Sequence, residues 1–330
     1  AMRLILTRLM LIGLSFAFCL PAYAQSKEPA SQKKLPVFER DVFEVSAPPN
    51  LTITQVRIDN RLGDVSIQGH DTETIKIQSF KRASDGATLE RLVVSLLPDA
   101  QGRVNINTAL KAGTEHHPVE AGSVAIDLII FLPRHTSIDA EIWSGKLELS
   151  KVDNGARLVV DKGRINVKQV SGRVVSSLRV GNQSINELFG DLEARAIEGD
   201  LNLELIEGKK LLASVVRGDI IAKKLRFDDM KLRSVFGDID LKAELVAGGN
   251  YTISSRRGNV RVRFYGDVEA LVDVRAKSAT GGSELRAEEG IAGRWRGRLS
   301  DHSRSQTTTK VQPAHVKLRA DTGSVLVKHF

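Results

Sequence analysis

The sequence predicts an all-β protein and, more narrowly, a single-stranded β-solenoid (β-helix) with 18–19-residue coils and two short strands per coil. Two observations predict this fold. Glycine recurs at a nearly constant spacing through the middle of the chain, and apolar and polar residues alternate between the glycines. A fixed period of this size is typical of repeat architectures. Strict alternation is typical of strands with one buried and one exposed face.

The main glycine series has spacings of 18, 18, 18, 19, 19 and 21 residues. It comprises Gly145, Gly163, Gly181, Gly199, Gly218, Gly237 and Gly258. A second series, Gly172, Gly190 and Gly208, falls midway between members of the first. Glycine readily adopts the backbone angles that tight turns need. We therefore interpret each half-period as one turn followed by one short strand.

The second residue after each main glycine is usually apolar, and we expect it to face the core. Stacking of the coils would bring together one inward column, formed by Leu147, Ile165, Leu201, Ile220 and Ile239. Parallel strands of neighbouring coils should lie about 4.8 Å apart. An antiparallel sandwich is the alternative, but it explains the alternation and not the constant period. The pattern does not define the handedness of the coil.

Residues 1–24 are expected to form a secretory signal peptide. Arg3 and Arg8 give it a basic start, an apolar run follows, and cleavage is expected after Ala24. An uncleaved anchor is the alternative. Cleavage would remove Cys19, the one cysteine, so the mature chain would have neither a disulfide nor a thiolate site. We expect no transmembrane span after cleavage and export to the periplasm, the cell surface or the medium.

The remaining segments are defined by changes in composition and rhythm. Residues 25–50 are a polar linker that contains proline, and residues 51–330 form the β-solenoid domain. Within this domain we expect an irregular start at 51–136, regular coils at 137–274, a basic polar insertion at 275–313 and a closing strand at 314–330. Natural proteins cover or charge the open edges of sheets. The insertion is therefore expected to cover the end of the stack.

Three segments carry a resemblance to a known family. They are the hydrophobic strand Val124–Arg134 that ends in a proline, the repeated phrase typified by Arg217-Gly218-Asp219-Ile220, and the closing segment Leu318–Val325. With these motifs, the stretch from about Leu51 to Phe330 resembles the bacterial DUF4097 family, described as adhesins with a β-strand repeat. The resemblance implies a β-repeat fold and an adhesin-like role. It brings no catalytic motif to these positions, and the insertion at 275–313 departs from the family pattern.

The charge balance favours anionic partners. The chain has 48 basic and 40 acidic residues, and such an excess attracts anions. An anionic envelope glycan, a lipid head group or an acidic protein would suit an exported chain, and no nucleic acid is expected. Basic residues crowd the later coils: Arg217, Lys223, Lys224, Arg226, Lys231, Arg233, Arg256, Arg257, Arg261 and Arg263. We predict a binding stripe at Arg256, Arg257, Arg261 and Arg263; the alternative is a solvated, charged face.

Two groups of residues contain side chains that could bind a metal ion. Asp200, Asp219 and Asp238 each follow a main glycine, which suggests a column of solvated turn residues, with a calcium site as the alternative. A second group comprises Glu115, His116, His117 and Glu120. Neighbouring histidines in an extended segment point to opposite sides, and the spacing matches no closed zinc motif. We therefore predict no metal and no cofactor.

The sequence contains no nucleophile elbow, phosphate loop or metalloprotease helix. We therefore predict a non-enzymatic envelope or surface protein, whose solenoid has an adhesin-like binding or structural role. The alternative is a carbohydrate-active enzyme, a lyase or a hydrolase, that acts on an anionic glycan. Such an enzyme would need clustered carboxylates or a poised base in a groove.

Overall fold

The computed structural model describes residues 4–7, 35–46, 52–111, 123–266, 268–281, 286–288, 294–299 and 312–329. Strands dominate these residues and join into one sheet. The sheet winds around one continuous hydrophobic core. A short helix, α1 (Gly86–Glu90), is capped by Asp85, whose side chain accepts a hydrogen bond from the Thr88 N–H. The predicted all-β solenoid is confirmed.

The strands are numbered in chain order over the described residues. They are β1 (Leu4–Thr7), β2 (Val37–Ser46), β3 (Gln55–Leu62), β4 (Val65–His70), β5 (Thr74–Ala83), β6 (Leu92–Pro98), β7 (Arg103–Leu110), β8 (Val124–Pro133), β9 (Ser137–Val152), β10 (Ala156–Ser171), β11 (Val174–Phe189), β12 (Leu192–Glu198), β13 (Leu201–Arg217), β14 (Ile220–Phe236), β15 (Ile239–Glu244), β16 (Asn250–Arg257), β17 (Val260–Tyr265), β18 (Ala270–Gly281), β19 (Arg286–Glu288), β20 (Arg294–Leu299) and β21 (Ala314–His329).

Each regular coil has two legs that meet at a main glycine, and the longer strands run through a corner. In β10 the first leg buries Leu158 and Val160, and the second leg buries Ile165 and Val167. Both legs thus supply the same core, and their outward side chains point to opposite sides of the solenoid. We call the outward side of the first legs face A and that of the second legs face B.

The stacking register is parallel and follows the glycine period. Ala156 pairs with Ile138 and with Val174, at a spacing of 18 residues, and Leu211 pairs with Leu192 at a spacing of 19. The predicted inward column of Leu147, Ile165, Leu201, Ile220 and Ile239 is confirmed, and all five side chains are fully buried. The coil between Ile165 and Leu201 contributes Gln183 to this column.

The main glycines stack into a column at one corner of the solenoid. Gly163 has a φ of 145°, and a Cβ atom added to it would lie 1.8 Å from the carbonyl oxygen of Gly145. Only glycine combines this backbone angle with so close an approach. Gly63 and Gly323 extend the column at its two ends, since an added Cβ on Gly145 or Gly323 would meet Gly63 or Gly258 at 2.0 Å.

The opposite corner uses residues other than glycine in the left-handed conformation. Five such residues have φ values between 54° and 57°, and each follows a main glycine by six residues. They are Lys151, Gln169, Glu187, Leu205 and Lys224. A side chain disfavours this conformation by roughly 1–2 kcal/mol. The sequence did not reveal this corner, because no residue type marks it.

Both ends of the stack are built from segments that leave the period. The first coil, β3 and β4, packs directly on β9, with Val56 opposite Ile138 and Val65 opposite Leu147. Strands β7 and β6 then extend the sheet beyond β3, while β8, β5 and β2 extend it beyond β4. This end of the stack is therefore covered by the segment that joins the first coil to β9 and by β2, a strand that precedes the first coil and lies within the predicted linker at 25–50.

The last strand is not the outermost one, although the sequence suggested that it closes the stack. Strand β21 pairs with β16 and β17 on one side and with β18 on the other. Gly323 keeps the glycine register and therefore places β21 directly beneath the coil of Gly258. Strands β18 and β20 pair antiparallel, and β19 adds to β20, so these strands lie outside β21.

Candidate functional site

The structure places the four predicted binding arginines on two sides of the solenoid. Arg256 lies outward in the first leg of its coil, on face A, and Arg257 lies at the glycine corner. The Arg257 guanidinium is 5.1 Å from the centre of the Phe236 ring, a cation–π distance. Arg261 and Arg263 belong to the second leg, on face B. The four residues are therefore not one stripe.

The two face B arginines are engaged by aspartates of the preceding coil. Arg261 lies 3.8 Å from Asp238, and Arg263 lies 2.5 Å from Asp240. Because all four side chains are at least partly exposed, these pairs contribute little to stability. The two aspartates nevertheless partly neutralise Arg261 and Arg263, which the sequence predicted to bind a ligand.

Face A has a shallow, open depression at Arg256. Its volume is about 530 Å³, and basic side chains of three neighbouring coils line it, with serine between them. Two rows cross this face along the axis. In one row Arg233 is followed by Ser254 and Arg319; in the other Lys231 is followed by Thr252 and Lys317. The depression is lined by Lys231, Arg233, Ser234, Ser254, Ser255, Arg256, Arg319 and Asp321.

Most cations of this depression have no carboxylate partner within the described part of the chain. Arg319 pairs with Asp321 at 2.5 Å, whereas no ion pair involves Lys231, Arg233 or Arg256 among the described residues. The register explains this difference. Lys231 and Arg233 lie between Leu212 and Ser214 of one neighbouring coil and Thr252 and Ser254 of the other, so no acidic side chain is in register with either of them. In one of these rows an acidic residue, Asp273, lies opposite Lys317 at the far end.

The earlier coils of face A show the opposite arrangement. Arg157 pairs with Asp139 of the preceding coil at 2.6 Å, and Arg179 pairs with Asp161 in the same way. The hydrogen bond from Arg179 lowers the pKa of Asp161 and raises the pKa of Arg179. The same sheet thus neutralises Arg157 and Arg179 in the early coils and leaves Arg233 and Arg256 unpaired at the depression.

Sequence reasoning identified part of this site. Lys231 and Arg233 are among the crowded basic residues of the later coils, but the predicted stripe of Arg256, Arg257, Arg261 and Arg263 does not include them. Arg319 was missed because it follows Ser254 by 65 residues. The signal that could have found it is Gly323: aligning this glycine with Gly258 places Arg319 beside Ser254.

The predicted aspartate column exists and stabilises the corner. The backbone N–H of Asp219 donates to Asp200 at 2.9 Å, that of Asp238 donates to Asp219 at 2.7 Å, and that of Asn259 donates to Asp238 at 2.8 Å. Each carboxylate therefore accepts a hydrogen bond from the next coil. This ladder explains why Asp or Asn so often follows the main glycine.

Metal ligation finds no support in the described residues, which contain no group of three or more suitable side chains. Glu115, His116, His117 and Glu120 lie outside those residues. A second depression of about 160 Å³ contains Asp99 and Asp139. Both are paired with arginines, and hydrogen bonds from Arg103 hold the pKa of Asp99 below its usual range.

Helices long and apolar enough to span a membrane are absent from the described residues.

These features define a β-solenoid with a glycine corner and a cationic depression on one outer face. Residues 53–327 match the family described as Toastrack DUF4097, and the chain belongs to this family. The resemblance predicted from the sequence is thereby confirmed. No curated protein matches the chain.

Several solved structures are similar to the chain. One is a proposed adhesin from Parabacteroides distasonis, with 12% identity, a TM-score of 0.47, and coverage of 88% of this chain and 97% of that chain. A proposed adhesin from Bacteroides fragilis has 13% identity, a TM-score of 0.39 and the same coverages. A proposed lipid-binding protein from Parabacteroides distasonis has 8% identity and a TM-score of 0.34, again with coverages of 88% and 97%.

Proposed function

We propose that this protein is an exported, non-enzymatic envelope or surface protein that binds an anionic glycan in the face A depression. The observation that carries the proposal is the set of unpaired cations Lys231, Arg233 and Arg256, described above. Unpaired cations on a shaped surface attract an anionic ligand and set its orientation. Their counterparts Arg157 and Arg179, on the same face, are neutralised within the protein.

The layout of the depression favours a polymer over a single small anion. Arg233 and Arg319 are separated by one coil, so their backbones lie about 10 Å apart. Ser254 lies between them and offers a hydroxyl group to a sugar. A glycan that carries repeated acidic groups can contact both cationic coils at once. A lipid head group or an acidic protein is the alternative occupant, and the experiment below separates them.

Catalysis has less support at this depression. Glycoside hydrolysis generally uses two carboxyl groups, one of them able to donate a proton. The described lining contains one carboxylate, Asp321, and Arg319 binds it. The second depression has two, but the pKa of Asp99 is lowered, whereas a carboxyl group that donates a proton needs a raised pKa. We therefore favour retention of the glycan over its cleavage.

Export is the second part of the proposal, and it rests on the composition of residues 1–24. Strand β1 lies within this segment and pairs with β2, with Leu4 opposite Val45. Cleavage after Ala24 would remove β1 and this pairing. Mass spectrometry of the protein recovered from its native cell tests the point: a first residue of Gln25 supports export, and a chain that retains Leu9 to Leu20 contradicts cleavage.

The binding proposal is tested by incubating the purified protein with immobilised dextran sulfate and polygalacturonate. Neutral dextran controls for the sugar backbone, and anionic vesicles and polyglutamate test the two alternative occupants. We expect retention on the two anionic glycans, and less retention as salt rises because salt screens exposed charges. Chromatography of the glycans afterwards should show unchanged lengths; shortened products would support the enzyme instead.

A matched pair of variants locates the site. The double variant Arg233→Gln/Arg256→Gln should lose most of the retention, because it removes unpaired cations. The double variant Arg157→Gln/Arg179→Gln removes the same charge from the same face, but from residues that are already paired, and should bind like the wild type. Equal losses in both variants would show that binding depends on net charge alone, which contradicts a defined site.

A further inference from the structure

A row of basic side chains follows the solenoid axis on face B, opposite the depression. Lys242 pairs in register with Arg263, and Arg263 pairs with Lys328, so three cations of three successive coils lie directly opposite one another. Lys223 occupies the neighbouring position in the preceding coil, beside the register shift between Ala222 and Leu225. Neighbouring backbones in such a row lie about 4.8 Å apart.

This row is unfavourable for the isolated protein. Like charges directly opposite each other on neighbouring strands destabilise a sheet. The repulsion on Arg263 is reduced by its ion pair with Asp240, at 2.5 Å. No ion pair involves Lys223, Lys242 or Lys328 among the described residues. Glu204 is in register with Lys223, but its carboxylate lies 3.7 Å from the ammonium group of Lys224 instead. The row therefore keeps an excess of positive charge.

The other charged groups around the row are already engaged. Arg261 is paired with Asp238, and Glu244 lies 3.4 Å from Arg226. The hydrogen bond with Glu207 raises the pKa of Arg226. Since these neighbours neutralise one another, none of them neutralises the row. A bound anion could therefore supply the opposite charge.

We propose that this row is a second binding surface for an anionic glycan, and that the protein uses its two faces to bridge two glycan chains. The inference rests on the proposed function for its first site, the face A depression. Across four coils the row is about 14 Å long. A single acidic group reaches only neighbouring cations, whereas a linear polyanion along the axis contacts all four.

The spacing of the row favours a glycan over an acidic peptide. An extended peptide presents side chains on one side at intervals of about 7 Å, twice the rise per residue of a strand. The row offers a cation about every 4.8 Å, so such a peptide would lose register within the row. A densely charged glycan carries acidic groups on successive rings and around its axis, and it can therefore place one near each coil.

The two faces point in opposite directions, which is what makes bridging possible. The legs of one coil pack on a shared core, as shown by the contact between Tyr251 of a first leg and Phe264 of a second leg, with ring centres 5.7 Å apart. Two packed sheets lie about 10 Å apart. A chain on face B thus cannot reach the depression without passing round a corner, and two chains can bind independently.

The experiment mixes the purified protein with soluble dextran sulfate and measures light scattering, and in parallel measures retention on immobilised dextran sulfate. The face B variant is Lys223→Gln/Lys242→Gln/Lys328→Gln, and the face A variant is Lys231→Gln/Arg233→Gln/Arg256→Gln. The control variant, Lys162→Gln/Arg164→Gln/Lys168→Gln, removes the same charge from exposed positions of an early coil. Neutral dextran replaces dextran sulfate as the ligand control.

We expect the wild type and the control variant to be retained and to raise the scattering at intermediate mixing ratios, with a fall at excess glycan. The face B variant should still be retained but should lose the rise in scattering, because one site cannot bridge. Scattering by the face B variant equal to that of the wild type overturns the second surface. A face A variant that behaves like the wild type overturns the proposed depression instead, and absence of wild-type retention overturns both.

Folding of the face B variant is checked by its thermal midpoint. Removal of like charges should leave this midpoint unchanged or raise it. A lower midpoint would contradict the unfavourable row. In that case a single Lys242→Gln variant, which leaves the rest of the sheet intact, replaces the triple variant in the scattering measurement, and an unchanged rise in scattering again overturns the second surface.

Discussion

Ser176 donates a hydrogen bond of 2.8 Å to the Oε1 atom of Gln183 inside the hydrophobic core. The Gln183 Nε2 atom in turn donates to the carbonyl oxygen of Arg195 at 2.5 Å. Both side chains are almost fully buried. Gln183 interrupts the inward column between Ile165 and Leu201, and Ser176 of the opposite leg satisfies its Oε1 atom within the core.

Removing half of this pair should cost more than removing both halves. Ser176→Ala leaves the Gln183 Oε1 atom buried without a donor, and we expect a loss of about 1–3 kcal/mol in the free energy of unfolding. The double variant Ser176→Ala/Gln183→Leu removes both polar groups and should recover most of that loss. Chemical denaturation of the two variants measures the difference. A double variant that is less stable than Ser176→Ala would contradict this account.

The glycine corner predicts a contrast between two substitutions of the same kind. Gly163→Ala would place a Cβ atom 1.8 Å from the Gly145 carbonyl oxygen in a conformation that alanine rarely adopts. Backbone strain alone costs about 1–3 kcal/mol. Because the steric clash adds to this strain, we expect Gly163→Ala to lower the free energy of unfolding by about 3 kcal/mol or more. Gly86→Ala, where nothing lies within 4 Å of the new Cβ, should be neutral or slightly stabilising. Thermal unfolding of both variants checks the contrast.

Most of the fold could be predicted from the sequence because it is governed by local, repeated requirements. Each main glycine packs closely against the glycine of the preceding coil, and the apolar residue two positions later is buried in the core. Leu147 and Ile239 are therefore buried for the same reason. Gln183 broke the pattern without changing the fold, since a polar residue is accepted where Ser176 satisfies it. The end coils were less predictable, because Gly63 and Gly323 are separated from the series by long segments that leave the period.

The candidate site was less predictable because it depends on which side of a coil each residue faces. Arg256 and Arg261 are five residues apart in the sequence, but the turn at Gly258 sends them to opposite faces. Arg233 and Arg319 are far apart in the sequence, yet one coil separates them in the stack. Charge composition therefore favoured an anionic partner, while only the register shows which cations lie next to one another.

The inward column can be tested with neighbouring isoleucines of β14. Ile220 is fully buried, while Ile221 is 37% exposed and points outward on face B. Ile220→Asp places a charge in the core without a partner, and we expect the protein to lose its cooperative fold. Ile221→Asp introduces the same charge at the surface and should change the free energy of unfolding by no more than about 1 kcal/mol. Circular dichroism with thermal unfolding distinguishes the two, and similar losses would refute the column.

Tyr251 makes the stability of the protein sensitive to alkaline pH. Its hydroxyl accepts a hydrogen bond from the Val246 N–H at 2.8 Å and donates one to the Phe227 carbonyl oxygen at 3.0 Å. Burial raises the pKa of Tyr251 to about 12, from an ordinary value of 10.0. Between these two values the unfolded chain releases the phenolic proton while the folded chain retains it, so unfolding becomes more favourable as the pH rises.

The stabilisation from this group should therefore be complete below pH 10 and should decline by about 3 kcal/mol as the pH approaches 12. Tyr251→Phe should be less stable than the wild type at neutral pH, by about 1–2 kcal/mol, because two buried backbone groups lose their partner. Its stability should fall less steeply between pH 10 and 12. Tyr265→Phe is the comparison: burial also raises the pKa of Tyr265, but this side chain is only partly buried, so its removal should change the slope less than Tyr251→Phe does. Denaturant unfolding at a series of pH values measures these slopes. If Tyr251→Phe loses stability as steeply as the wild type, Tyr251 is not the group responsible.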